Sequence, residues 1–229
     1  MDAVAEEVAV RHLEKAHQDG HRFQLISEEL GRRDFGGSEV VLVDPLDGSY
    51  NAKQGLPYYA VVLAVTPSER LGDVTLGYVL NLLTGDEFLA ERGSGAYRNG
   101  QPLLPGEAPA DGRTIPLIQL DAPAGINPRS QAQPLIDQAE RVRQMGSAAL
   151  NLCHTATGGI TLQVAPSPVR AFDLAGPLLI LEESGGIATD LDGRPLSAVS
   201  CDLESRTTLL ASAFQDIHRR GLRLLARKT

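Results

Sequence analysis

The run VVLVDPLDGSYN (40–51) constrains this chain more than any other stretch. Four aliphatic residues in succession read as a buried strand, and such a strand ordinarily ends in turn residues. This one ends in two carboxylates, Asp44 and Asp47, with Pro45 stiffening the turn between them and a Gly48-Ser49 step behind. Two carboxylates and an exposed carbonyl such as that of Leu46 are the hard oxygen donors Mg2+ takes, and the spacing suits two ions that share Asp44. The amides of Gly48 and Ser49 would open a helical turn, where unsatisfied N–H groups and the local dipole favour an anion such as phosphate. Taken alone, the octapeptide also reads as a Pro-Asp-Gly surface turn.

Two other segments put acids at the ends of expected core elements. In ISEEL (26–30), Glu28 and Glu29 follow a strand that should run beside 40–43. In RAFDLAGPLLILEESGG (170–186), Asp173 begins an apolar helix closed by Gly185-Gly186. Singly, the glutamates are a solvated loop and Asp173 is an N-cap. Together, three independent ordinary explanations would all have to hold.

The rest of the chain builds a core around these segments. Hydrophobic residues make up 42% of the 229, which excludes disorder, and 23 glycines with 14 prolines fit many short elements rather than a long helical rod. No apolar run approaches the roughly 18–20 residues of a membrane span, and the acidic start MDAVAEEVAV lacks a signal peptide's basic flank, so a soluble, cytoplasmic protein is expected. With 21 Lys+Arg against 29 Asp+Glu the formal net charge is −8, which argues against a nucleic-acid backbone as partner. Two cysteines support no disulfide framework, and the five histidines show no metal-ligand spacing.

Periodicity predicts a surface helix over 4–17, strands at 23–27, 40–43, 58–66, 74–80 and 86–91, and a hairpin within 93–100 that turns at Asn99-Gly100. A Pro/Gly-rich connector (103–113) follows. Then come a strand (114–120), helix (130–140), strand (141–145), helix (147–157), strand (160–164), helix (173–184), strand (207–212) and closing helix (213–227). An α+β half (1–107) with antiparallel sheet is therefore expected to precede an α/β half (108–229), with the site in the cleft between them.

DPLDGSYN resembles the Asp-Pro-(Ile/Leu)-Asp-Gly-(Thr/Ser) signature of the inositol monophosphatase and fructose-1,6-bisphosphatase superfamily, the lithium-sensitive Mg2+ phosphatases. SEE is similar to its Gly-Glu-Glu motif, and FDLAGPLLILEESGG to its Trp-Asp-x-Ala-Ala…Glu-Ala-Gly-Gly motif. GSGAYRNGQPL (93–103) and GSAALNLCHTATGG (146–159) are similar to its hairpin and its Gly-Ser-Ala-Ala helix. The motifs fall in the family's order over nearly the whole chain, and NAKQGLPYYAVVLAV with GYVLNLLTGDEF reads most like the archaeal-type dual-activity enzymes.

The resemblance implies a layered αβαβα sandwich of the sugar-phosphatase type, lacking the family's first helix, and a homodimer. It implies two or three Mg2+ ions, with Mn2+ able to substitute and Li+ to inhibit. Glu28, Asp44 and the Leu46 carbonyl would hold the first, and Asp44, Asp47 and Asp173 the second. Ser49 would position the attacking water with Asp2 as its partner, and Glu28 would touch a third, weaker ion. Gly48, Ser147 and Ala148, with Asp47 and Asp173, would face a small phosphorylated sugar or cyclitol. The chain begins inside the family's Thr-x-x-Asp motif, which motivates an alternative reading as a catalytically weak binding or regulatory homologue. A glutamate that inositol-specific members place before the third motif is replaced by Pro166 in VAPSPVRAFD, so strict inositol specificity is not expected. Arg170 could instead meet a second phosphate or offset local negative charge. A 3′-phosphoadenosine 5′-phosphate phosphatase is the remaining alternative, although aromatics make up only 4% of the chain.

Overall fold

The computed structural model describes residues 2–112, 114–121 and 129–226. The first half runs α1 (Asp2–Gln18), β1 (Gln24–Ser27), β2 (Gly31–Asp34), β3 (Val40–Asp47), α2 (Ser49–Gln54), β4 (Ala60–Thr66), β5 (Leu76–Asn81), β6 (Glu87–Glu91), β7 (Gly95–Arg98) and β8 (Gln101–Pro102). These eight strands form one sheet in the order β2-β1-β3-β4-β5-β6-β7-β8, antiparallel throughout except for the β1–β3 pair. The second half runs β9 (Ile115–Leu120), α3 (Arg129–Ile136), β10 (Ala139–Arg143), α4 (Ala148–Ala156), β11 (Leu162–Arg170), α5 (Ala171–Glu183), β12 (Ile187–Thr189), β13 (Arg206–Ser212) and α6 (Gln215–Leu225). Its sheet, ordered β10-β9-β11-β13-β12, is parallel across the first three strands and antiparallel beyond them.

The layers follow from where apolar side chains can go. α5 is apolar on every side and α4 nearly so, because both lie between the sheets and bury residues such as Leu150, Leu152, Leu174 and Leu179 against Val62, Val79 and Phe88. Each large side chain buried there contributes roughly 1.5–3 kcal/mol. α6 has a strong one-sided pattern and closes the outer face of the second sheet with α3, packing Ile217 with Ile118, Leu135 and Leu210. α1 lies on the far face of the first sheet over Phe23, Leu25 and Val43. The result is the expected αβαβα sandwich, with β3, α4 and α5 meeting at the cleft. No helix among the described residues is long and apolar enough to cross a membrane.

α5 lies backbone to backbone on the first sheet. A Cβ built on Gly77 would stand 2.3 Å from the Gly176 carbonyl oxygen, and one on Gly176 would stand 2.6 Å from the Leu63 carbonyl oxygen. Only glycine permits that approach.

Several boundaries differ from the sequence reading. β3 does not turn at Pro45. It continues through both aspartates, with a register irregularity between Asp44 and Asp47 that absorbs the missing N–H of proline. The helix expected over 130–140 ends at Ile136, with Pro134 inside it, and the following strand begins at Ala139 because that residue pairs with Ile115. β11 runs on to Arg170, with a bulge where Pro166 and Pro168 lie. The helical turn expected at Gly48-Ser49 is α2, whereas β2 and β12 had no clear signal. The hairpin turn is as expected: Asn99 and Gly100 have φ of 51° and 73°, the left-handed pair such a turn needs. Residue 113 of the connector and residue 227 of the closing helix lie outside the described residues.

Candidate active site

The irregularity in β3 points its two aspartates to different partners. Asp44 is buried, and its Oδ1 accepts from the Leu46 amide at 2.9 Å while its Oδ2 has no hydrogen-bond partner. It borders a small polar pocket of about 160 Å³ lined also by Asp2, Glu28, Glu29, Leu46, Ser49 and Lys53. Segments far apart in the chain thus converge, and five of the expected residues (Asp2, Glu28, Asp44, Leu46 and Ser49) share one pocket.

Asp47 is turned toward the start of α4. Its Oδ2 accepts from the Ser147 hydroxyl and from the Ala149 amide at 2.9 Å, and its Oδ1 accepts from the Ala148 amide at 3.3 Å. Ser147 also caps α4 by accepting from the Leu150 amide at 3.2 Å. Ser147 and Ala148 were expected to face substrate hydroxyls; here they hold Asp47 instead, because the open N–H groups of a helix start are a natural seat for a carboxylate. Gly48 has φ 86°, and a Cβ there would lie 2.9 Å from the Tyr58 carbonyl oxygen and 3.2 Å from that of Gly146, so glycine is required where the two halves touch.

Asp173, in the first turn of α5, receives the Arg170 Nε–H at 2.9 Å on Oδ2, and its buried Oδ1 has no partner. The Nη1 of the same arginine pairs with Glu28 Oε1. Arg170 thus bridges two expected metal ligands, an arrangement that offsets their charge. Asp2 departs from expectation as well. Its Oδ2 pairs with Lys53 Nζ at 2.5 Å, whereas Ser49 had been the expected partner.

Burial and mutual repulsion govern these carboxyls. Burial, with the nearby charges of Asp47, Asp173 and Glu28, pushes Asp44 up to about 9. Burial raises Asp173 to about 7 against the pull of Arg170, and raises Asp47 against the hydrogen bond from Ser147. A hard divalent cation matches this set: oxygen donors, two buried carboxylate oxygens without a partner, and negative charge in excess of the local positive charge. Among the described residues no three His, Cys, Asp or Glu side chains already stand arranged as a metal cage. Ser147 and Arg170 are the partners that hold Asp47, Glu28 and Asp173 elsewhere.

A model of the inositol monophosphatase family matches residues 1–228. The chain belongs to that family. A fructose-1,6-bisphosphatase/inositol-1-monophosphatase of Archaeoglobus fulgidus is 36% identical over 227 residues, which cover 98% of this chain and 82% of that protein. A bifunctional NADP phosphatase/NAD kinase of Methanococcus maripaludis is 28% identical over 93% of this chain and 40% of its own length. The crystal structure of an inositol monophosphatase–fructose 1,6-bisphosphatase superposes with a TM-score of 0.82 at 26% identity, covering 97% of this chain and 82% of that one. The chain is accordingly a phosphatase of the inositol monophosphatase/fructose-bisphosphatase type.

Family membership leaves some residues unannounced. Lys53 lies in the pocket, on an exposed helix where the sequence offers no signal. Asn51 donates to the carbonyls of Tyr58 at 2.8 Å and Met145 at 2.7 Å, stitching the two halves together beside Gly48. Asp121, at the end of β9, is half-buried and accepts from Gln163 at 2.6 Å, Asn151 at 2.7 Å and Gln119 at 3.1 Å. Asn151 in turn accepts from the Tyr58 hydroxyl at 2.9 Å. Asp121 carries the same mark as Asp44, an acid directly after an apolar strand, and that mark could have found it.

Proposed function

We propose that the protein is a Mg2+-dependent phosphomonoesterase acting on a small sugar or cyclitol phosphate, inositol 1-phosphate and/or fructose 1,6-bisphosphate. The observation that carries this reading is the convergence of Glu28, Asp44 and Ser49 on one polar pocket whose deepest carboxylate keeps an unpartnered oxygen. Glu28, Asp44 and the Leu46 carbonyl would hold one ion, and Asp44, Asp47 and Asp173 a second. Bound there, the ions supply charge neutralisation of the phosphoryl group and a lower pKa for an attacking water.

The chain's own residues do the rest. Ser49, at the start of α2 and in the pocket, orients the water through its hydroxyl. Gly48 caps α2 with no side-chain hydrogen bond, which leaves the first-turn amides available to phosphate oxygens. α4 fixes Asp47 through one hydroxyl and two amides, so that this carboxylate is positioned before substrate arrives.

The similarity to a bifunctional NADP phosphatase/NAD kinase supports a second reading, release of phosphate from NADP. The test is phosphate release from inositol 1-phosphate, fructose 1,6-bisphosphate, NADP and 3′-phosphoadenosine 5′-phosphate, side by side, with and without Mg2+. Turnover of the first two that requires Mg2+ is expected. Turnover confined to NADP would replace the first reading with the second, and turnover of none would leave the weak binding homologue.

A further inference from the structure

Arg170 joins acidic groups of the two halves. Its Nη1 reaches Glu28, 142 residues earlier in the chain, and its Nε reaches Asp173 at 2.9 Å. A guanidinium suits this work because its planar fork can serve two carboxylates at once, and it is less strongly hydrated than an ammonium. The same planarity limits it. It leaves Asp173 Oδ1 and Asp44 Oδ2 buried without a donor, two oxygens that a more compact cation can meet.

The backbone at Arg170 is anchored. It lies in extended geometry, φ −64° and ψ 127°, at the junction of β11 and α5, and the next residue's amide donates to the Ser205 carbonyl at 3.0 Å. The side chain is 31% exposed, against 14% for Asp173. The guanidinium can therefore leave for solvent by rotation of its own stem, with no movement of α5.

We propose that Arg170 is an internal counterion: it bridges Glu28 and Asp173 when no divalent cation is bound and is displaced from them when one binds, so that it sets the protein's affinity for metal. This rests on the phosphatase reading above and concerns the same site. Two oppositely charged occupants, a guanidinium fork and a carboxylate pair, hold the site closed, and the incoming ion must compete with the fork for the same two side chains. The other basic residue at the pocket, Lys53, pairs with Asp2 and touches neither Glu28 nor Asp173, which makes it an internal control for charge alone.

The experiment is calorimetric titration of the full chain, freed of divalent ions, with Mg2+. Arg170→Gln is expected to bind Mg2+ about tenfold more tightly than the natural protein, similar in size and opposite in sign to the loss that follows when a group orienting metal ligands is removed. Arg170→Lys, which keeps the charge but loses the fork, should fall between the two, and Lys53→Gln should gain much less. In the absence of divalent ions Arg170→Gln should also melt at a lower temperature, and Mg2+ should raise its melting point by more than it raises that of the natural chain. Equal Mg2+ affinity in Arg170→Gln and the natural protein overturns the inference, and so does an equal gain from Lys53→Gln, which would reduce the effect to overall charge. If those results come from a chain that still hydrolyses its substrate only with Mg2+, the phosphatase reading survives and the counterion role alone fails. A natural chain that binds no divalent ion and hydrolyses none of the candidate phosphates overturns both.

Discussion

Asp44, buried, and Asp121, half-buried, both follow an apolar run of strand, one in each sheet, and their surroundings could hardly differ more. Asp121 is met by three amide donors, from Gln119, Asn151 and Gln163, and sits as a closed part of the scaffold. Asp44 has one backbone donor, one oxygen with no partner, and the charges of three other carboxylates around it. Burial alone therefore does not mark a functional acid. A carboxylate whose hydrogen bonds are complete supports the structure, whereas one left incomplete among like charges is prepared for something that the protein does not itself supply.

The sharpest test of this contrast removes the charge at Asp44. Asp44→Asn should lower kcat/KM by at least about 100-fold, the scale lost when a group that stabilises transition-state charge is removed. Without divalent ions and above about pH 9, where Asp44 carries its charge, it should nevertheless melt no lower than the natural protein, and removing about 1 kcal/mol of repulsion would raise Tm by roughly 2–4 °C. A fall of several degrees would erase the distinction drawn here.

Asp47→Asn should match it in activity and differ in stability. Its carboxylate accepts from Ser147, Ala148 and Ala149, and weakening those charge-assisted hydrogen bonds should cost about 1–3 kcal/mol in urea unfolding. Equal stability of the two asparagine variants would mean that α4 does not depend on Asp47.

Asp121 gives a pH signature. Burial raises its carboxyl to about 6 from the ordinary 3.8, only partly offset by the Gln163 and Gln119 hydrogen bonds. The folded state then holds this proton more tightly than the unfolded state, so its contribution is fully present below pH 3.8 and is lost as pH rises through about 6. The difference corresponds to an order-of-magnitude ~3 kcal/mol. Unfolding free energies of the natural protein and Asp121→Asn, measured from pH 3 to 7, should diverge across that window with the variant flatter. Parallel curves would show that Asp121 titrates normally.

Tyr58→Phe should have the smallest effect. Losing the hydroxyl's bond to Asn151 should cost about 1 kcal/mol, seen as a small shift of the unfolding midpoint at unchanged slope.

The fold was largely legible because its elements rest on local patterns. The apolar runs of β4 and β6, the all-round apolar surface of α5 and the Asn99-Gly100 turn are readable one segment at a time. The convergence of Glu28 and Asp44 on one pocket was legible in part too, since each follows an apolar run of strand. The pairings inside the site were not legible. Ser147 reaches Asp47 across 100 residues of sequence and Arg170 reaches Glu28 across 142, and which polar atom meets which depends on the finished packing. Lys53 illustrates the same limit, as an exposed lysine on a short helix differs from any other until Asp2 stands opposite it. Even the turn at Pro45 was misread, because a bulged strand and a turn draw on the same residues.

The contact between Gly77 and Gly176 reaches further than packing. Asp173 stands one helical turn ahead of Gly176, so the separation between the acid on α5 and the acids on β3 is gauged by main-chain atoms in direct touch. Exchanging side chains elsewhere on the helix leaves that spacing as it is, because no side chain sets it.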